Sequence, residues 1–113
     1  MPIIEKSASA RADLVSHFVY LAEEAGEIIA DRFLARAEES FTLLSGQPKL
    51  GAPLTVLNPA LAGTRKWRVK DFDRFLIFYM PRPGGVLILR VLLNSQDWWR
   101  LLGLVGPGEI AGD

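Results

Sequence analysis

The sequence lacks several features that would point to particular classes of protein. Its 113 residues include no cysteine, which excludes disulfides and thiolate metal sites. No apolar run reaches the roughly 20 residues that span a bilayer, and the amino terminus has no basic segment followed by a long apolar one. We therefore expect a soluble cytoplasmic protein with no metal or other cofactor.

Groups for nucleophilic or metal chemistry are also scarce. His17 is the only histidine, and the sequence places no serine, cysteine or second histidine to form a catalytic pair with it. It would stand alone beside scattered carboxylates as a metal ligand. Gly84 and Gly85 join two predicted strands and open no helix, so they do not form a phosphate-binding loop. We interpret His17 as a surface histidine.

The overall composition is that of one globular domain. Half of the residues are apolar and the formal net charge is zero. Residues 1–60 hold five Lys/Arg against eight Asp/Glu, whereas residues 61–113 hold eight against five. This asymmetry indicates a surface for a polyanion or an acidic partner on the basic half, and the alternative is a sheet face that is merely solvated. We expect a domain over residues 1–103 and a flexible tail over residues 104–113.

Residues 63–93 predict a meander of three strands. Lys66, Arg68 and Lys70 alternate with Trp67 and Val69, which predicts a row of cations on one sheet face. Residues 75–80 and 86–93 are apolar runs typical of interior strands. The polar residues 71–73 predict the first connection, and the prolines and glycines of residues 81–85 predict a second hairpin turn.

The remaining segments predict one more strand, two long helices and a short one. Residues 2–6 are extended, and apolar residues recur at helical spacing over about residues 8–25 and 27–45, with Ser7 as a cap and Gly26 between the helices. Residues 46–59 predict a loop, and Asn94 predicts the cap of a helix from Ser95 to Gly103. The fold class is α+β, with the order β-α-α-β-β-β and a short C-terminal helix. An antiparallel helical hairpin packs on one face of a small, mostly antiparallel sheet.

Charged and aromatic residues of the meander and the last helix supply candidate binding groups. Arg90 lies inside an apolar run, so it either meets a carboxylate or opens onto a functional groove. The cation row, with Arg74 and Arg90 from the neighbouring strands, could hold phosphates. Trp98 and Trp99 could stack on bases or anchor a protein partner, and one of the two is expected in the core.

The order of several short motifs resembles a known family. These motifs are Ala12-Asp13-Leu14, Pro48 and Gly51, residues 61–65, the strand at residues 75–79, and Leu89-Arg90-Val91 followed by Asp97. Over roughly residues 3–102 this order is similar to the ParE branch of the RelE/ParE toxins of type II toxin–antitoxin pairs. The resemblance implies either of two activities, because ParE-like members block DNA gyrase and RelE-like members cut messenger RNA on the ribosome.

The resemblance favours gyrase inhibition over RNA cleavage. Arg68, Lys70 and Arg74 match the early basic positions of the nuclease pattern, but Asn94 stands near its late arginine. Residues 98–100 stand where its tyrosine would be. Leu93 also replaces a histidine that is common in both branches. Losing one member of a set of groups that stabilise a transition state typically costs orders of magnitude in rate.

The hypothesis is thus a non-enzymatic toxin that inhibits gyrase, forms a hetero-oligomer with a ParD-like antitoxin and is neutralised by it. The expected target contacts are Arg65, Lys66, Arg68, Lys70, Arg90, Trp98 and Trp99. The expected antitoxin contacts are Leu14, Phe18, Val19, Ile28 and Phe33. The alternative is a ribosome-dependent ribonuclease using Arg68, Lys70, Arg74 and Arg90. A third possibility is an α+β domain whose toxicity has decayed.

Overall fold

A computed structural model describes residues 2–101. The secondary structure follows the predicted order, with two additional short elements in the loop after the second helix. The elements are β1 (Ile3–Lys6), α1 (Ala8–Ala25), α2 (Glu27–Gly46), β2 (Ala52–Pro53), a single 3₁₀ turn (Pro59–Leu61), β3 (Arg65–Val69), β4 (Phe72–Arg82), β5 (Gly85–Leu93) and α3 (Trp98–Leu101). None of the helices within residues 2–101 has the length and apolar character required to cross a membrane.

The two long helices begin and end at the residues that the sequence indicated. The Ser7 hydroxyl accepts a hydrogen bond of 2.9 Å from the amide of Ala10, which satisfies one of the free donors at the start of α1. Gly26 has a φ of 94°, a left-handed value that favours glycine, and it separates α1 from α2 without any longer loop. The helices therefore fold back as the predicted antiparallel hairpin.

Five strands form one sheet in the order β1-β5-β4-β3-β2. The pairs β2–β3, β3–β4 and β4–β5 are antiparallel, and β1 pairs with β5 in parallel. The α+β prediction of a mostly antiparallel sheet is confirmed. At Gly85 the backbone of Ile3 comes so close that a Cβ would overlap it, so only glycine allows β1 to pair at this register.

Each face of the sheet carries its own apolar cluster. The larger one lies under the helices and joins inward residues of α1 and α2, including Phe33, Phe41 and Leu44, to sheet residues such as Ile77 and Val91. A smaller cluster lies on the other face, where Leu54, Val56, Leu76 and Trp98 surround the buried side chains of Phe78 and Leu92. The face away from the helices is therefore partly covered, and it is not the simple row of cations that the strand alternation predicted.

Several boundaries differ from the prediction for local reasons. The connection between β3 and β4 is Lys70–Asp71, and Phe72 already belongs to β4, where it packs against the core. Asp71 has a φ of 65°, which aspartate tolerates in a two-residue turn. Residues 94–96 form a turn, in which the Gln96 amide donates to the Leu93 carbonyl, and α3 begins at Trp98 and not at Ser95. Gly103 and the tail over residues 104–113 lie outside the described residues.

Candidate functional site

The cation row predicted on β3 is divided by a bulge. The register with β4 shifts between Arg68 and Val69, so the alternation of faces holds only up to Arg68. Lys66 lies on the face away from the helices, with Nζ 4.9 Å from the ring centroid of Trp98. Lys70 occupies the turn, where its amide donates to the Ser40 hydroxyl of α2 at 3.0 Å. The three cations therefore do not form one row.

Arg68 and Lys70 border a cavity of about 490 Å³ between α2 and the edge of β3. The cavity is lined by Glu39, Ser40, Leu43, Trp67, Arg68, Lys70, Asp71 and Asp73. Arg68 is largely exposed, and its Nε lies 3.8 Å from Asp73 Oδ1. Because β2 pairs only with Arg65 and Lys66, the later part of β3 lies beyond its reach at the edge of the sheet. This edge combines a partly exposed tryptophan with cations that a partner could approach.

The wall of this cavity is fixed by Arg36 of α2. Its guanidinium donates to Asp71 Oδ2 at 2.8 Å and to Glu39 Oε2 at 2.5 Å. The hydrogen bonds to Glu39 and then to Asp71 raise the pKa of Arg36 above its ordinary value. Together with the bond between Lys70 and Ser40, this pairing attaches the β3–β4 turn to α2.

Arg90 meets a carboxylate, which is one of the two alternatives for this residue. Its Nε and Nη2 donate to the two oxygens of Asp13 on α1 at 2.7 and 2.8 Å, and Asp13 Oδ2 also accepts the Val91 amide at 3.0 Å. The hydrogen bond to Asp13 raises the pKa of Arg90 and outweighs the opposing effect of burial. The guanidinium is therefore engaged within the molecule.

One of the four cations of the ribonuclease alternative, Arg90, is already paired within the molecule. Arg68 lies near the end of β3 and Lys70 in the turn that follows, whereas the guanidinium of Arg90 is held by Asp13 beside β5. The strand β4 lies between β3 and β5 and carries Arg74, which is exposed. A site that cleaves a phosphodiester would need these groups to converge on one phosphate.

The prediction that His17 lies on the surface is wrong. Its side chain is buried, Nε2 donates to the Val91 carbonyl at 2.7 Å, and the ring meets Phe33 and Phe75 edge to face. The pairing of β1 ends at Ile88, so α1 covers the next part of the β5 edge with side chains. Ser7, Asp13 and His17 bond to backbone groups of Leu89 and Val91 there. The one signal in the sequence is that Asp13 and His17 are four residues apart on a helix.

Arg65 and Tyr79 are opposite each other on β3 and β4, and both hold the loop that follows α2. The Tyr79 hydroxyl donates to the Pro48 carbonyl at 2.7 Å and accepts the Gly51 amide at 2.8 Å. Arg65 Nη1 donates to the carbonyls of Gly51 at 2.6 Å and Lys49 at 3.2 Å. Burial raises the pKa of Tyr79, although the Gly51 hydrogen bond and the charge of Arg65 oppose this.

The candidate antitoxin contacts divide into exposed and buried residues. Ile28 is 76% exposed, Val19 is also exposed, and Phe18 is half-buried. Leu14 and Phe18 line an apolar groove of about 210 Å³ together with Val15 and Leu34. Phe33 faces the other way: it is fully buried, because it packs against the rings of Phe72 and Phe75. Phe33 is therefore a core residue in this structure.

The last candidate binding groups are the aromatic residues of α3. The ring of Trp98 packs against Phe78 with centroids 5.3 Å apart, while the side chain of Trp99 lies outside the described part of the chain. Within residues 2–101, no cluster of three or more His, Cys, Asp or Glu side chains is arranged to hold a metal ion.

Comparisons with known proteins give one family and one fold. A family model described as "ParE toxin of type II toxin-antitoxin system, parDE" matches residues 4–98. Among solved structures, a chain of the "Chromosomal ParDE TA system from P. aeruginosa" has a TM-score of 0.66 and 19% sequence identity, over 82% of this chain and 96% of that chain. At this identity the structural likeness shows a shared fold. No curated protein matches the sequence significantly.

Proposed function

Because the chain belongs to the ParE toxin family of type II toxin–antitoxin systems, we propose that it blocks DNA gyrase by binding and is neutralised by a ParD-like antitoxin. Gyrase and such an antitoxin both act in the cytoplasm, so the toxin acts there too. The toxin needs no catalytic centre for this function, since an inhibitor only has to occupy a surface that its target uses.

The observation that carries the proposal is the arrangement of the basic residues. Arg90 is held by Asp13 and Arg65 by backbone carbonyls, while Arg68 and Lys70 lie at the edge of β3. Because Arg90 and Arg65 are engaged within the molecule, the basic residues support recognition of a macromolecule better than cleavage of RNA, which needs several free groups around the phosphate. The buried His17 offers no general base to solvent.

The residues expected to contact the target fall into two groups: those on the surface of the toxin, and those whose side chains are bonded within it. Arg68 and Lys70 border the cavity beside Trp67, and Lys66 with Trp98 forms a neighbouring patch on the face away from the helices. We assign target binding to these residues and to Trp99. Arg65 and Arg90 act within the toxin, where Arg65 supports the loop after α2 and Arg90 supports the edge of β5.

The antitoxin contacts lie on the outside of the helical hairpin. Leu14 and Phe18 line the apolar groove, and Val19 and Ile28 are exposed apolar side chains of the same two helices. An amphipathic helix of the antitoxin could bury these side chains, as helices do in apolar grooves of other complexes. The toxin and the antitoxin would then form a hetero-oligomer.

Two assays with the same purified protein test this proposal. Supercoiling of a relaxed plasmid by gyrase should be lost when the toxin is added, and a translated message on ribosomes should remain intact. Cleavage of the message at codon intervals with normal supercoiling would favour the ribonuclease alternative. Failure to arrest growth when the toxin is expressed without an antitoxin would favour loss of toxicity.

A further inference from the structure

The loop over residues 47–51, which joins α2 to β2, is held against the sheet by several side-chain hydrogen bonds. Tyr79 and Arg65 together make four hydrogen bonds to backbone groups of Pro48, Lys49 and Gly51. A Cβ at Gly51 would lie 2.6 Å from the Tyr79 hydroxyl and 2.8 Å from the Lys66 carbonyl, so the loop lies directly on the sheet. Surface loops are usually the mobile part of a domain, whereas this one has a defined shape.

The hydroxyl of Tyr79 serves this loop and nothing else in its surroundings. The side chain is fully buried in the core, where a phenylalanine ring would fill the same apolar space. Both hydrogen-bond partners of the hydroxyl, the Pro48 carbonyl and the Gly51 amide, belong to the loop. A buried hydroxyl that bonds only to a surface loop indicates that the shape of the loop matters for the surface that the loop exposes to solvent.

The loop presents an apolar surface with a basic border. Leu50 is 38% exposed. A cavity of about 550 Å³ is lined by Gln47, Pro48, Lys49, Leu50 and Pro81, and none of these described lining residues is acidic. The next residue after Pro81 is Arg82, which is exposed like Lys49. An apolar side chain flanked by carboxylates on a partner would complement both the cavity and its charge.

We propose that this loop, with Pro81, is a preformed docking element for the target protein, which inserts an apolar side chain flanked by carboxylates into it. The inference rests on the proposed function, with gyrase as that target. Tyr79 and Arg65 are positioning residues, because they fix the loop from below without facing the partner. A rigid loop lowers the ordering cost of binding to a folded target. The Leu14 groove assigned to the antitoxin shares none of its lining residues with this cavity.

Substitutions on the loop test the proposal directly. Leu50→Asp and Lys49→Glu should each raise the toxin concentration for half-inhibition of gyrase supercoiling by about 10-fold or more, as expected for a central contact. Their affinity for the antitoxin should stay within about 2-fold of the parent. Leu57→Asp is the matched control, since Leu57 is 67% exposed and lies on neither surface. This variant should inhibit gyrase like the parent.

Tyr79→Phe tests the positioning role without touching the partner. It should weaken gyrase inhibition by about 10-fold while antitoxin affinity is unchanged, a separation that a general loss of folding would not produce. Amide exchange should become faster at Lys49, Leu50 and Gly51 alone. Gyrase inhibition by Leu50→Asp equal to that of the parent, or an equal loss of antitoxin binding, overturns the inference. A parent protein that never inhibits gyrase overturns the proposed function itself, and the inference with it.

Discussion

Asp13 and Arg90 are 77 positions apart in the sequence and meet through two hydrogen bonds of 2.7 and 2.8 Å at the edge of β5. The same carboxylate accepts a hydrogen bond from the amide of Val91, so it binds both the Arg90 side chain and the backbone of β5. This contact joins α1 to the part of β5 that β1 does not reach. The helix thereby protects a strand edge that would otherwise be open to other chains.

Removal of the carboxylate should destabilise the toxin. We expect Asp13→Ala to lower the free energy of unfolding by about 2–3 kcal/mol, because a guanidinium and an amide lose a charged acceptor. The double variant Asp13→Ala with Arg90→Ala should cost clearly less than the sum of the two single changes. Urea denaturation measures all three values.

A second ion pair provides the control for this experiment. Arg68 and Asp73 are 68% and 73% exposed and 3.8 Å apart, so Asp73→Ala should change the free energy of unfolding by less than about 0.5 kcal/mol. Equal effects of the two aspartate substitutions would contradict a structural role for Asp13.

His17 should matter for stability and not for activity. His17→Phe fills the same space but leaves the Val91 carbonyl without its donor, so we expect a loss of about 1–3 kcal/mol. Gyrase inhibition per folded molecule should be unchanged. The adjacent exposed residue gives a matched control, since Ser16→Ala should alter neither quantity. A folded His17→Phe protein that no longer inhibits gyrase would show a functional role for the imidazole.

Alkaline pH should weaken the fold through Tyr79. Burial raises the pKa of this phenol in the folded state, so the unfolded chain releases the proton first, near the ordinary tyrosine pKa of about 10. The corresponding stability is fully present below that pH and is lost as the pH rises through the folded-state pKa. Thermal unfolding between pH 9 and about 11 should show a steeper decline for the parent than for Tyr79→Phe. Parallel declines would contradict the assignment.

The helical face should govern antitoxin binding alone. Ile28 lies in the first turn of α2, where an aspartate is compatible with the helix, so Ile28→Asp should fold normally. We expect its affinity for the antitoxin to fall by about 10-fold or more, measured by calorimetry, with gyrase inhibition unchanged. Leu57→Asp is again the control, and equal antitoxin affinity for both variants would place the antitoxin elsewhere.

Local patterns in the sequence predicted most of the architecture. The spacing of apolar residues, the cap at Ser7 and the break at Gly26 gave both helices to within about a residue, because each depends on interactions within a turn. Side-chain alternation and apolar runs located β1, β3, β4 and β5, although β4 extends over Phe72–Arg82 and so includes two residues of the predicted hairpin turn. β2 could not be predicted, since a strand of two residues has no period and exists only through its pairing with Arg65 and Lys66.

The site was harder to predict, because its contacts depend on register between distant elements. The cost of a buried charge indicated a carboxylate as one possible partner for Arg90, but only the packing of α1 on β5 selects Asp13. The same packing buries His17 against Val91, 74 positions away. The alternation of residues in the sequence does not reveal the bulge after Arg68, so the prediction placed Lys70 on the wrong part of the surface. Nothing in the sequence distinguishes Tyr79 from any other tyrosine in a strand. Its role depends on where the loop packs against the sheet.

A titration of gyrase with the purified toxin tests the central claim most directly. At a fixed gyrase concentration, supercoiling activity should fall as toxin is added, level off when the target is saturated, and stay the same when the incubation is prolonged. Toxin that is first mixed with an equimolar amount of antitoxin should leave the supercoiling activity unchanged. Full supercoiling activity with toxin in large excess would contradict the account, and so would progressive cleavage of a ribosome-bound message by the same preparation.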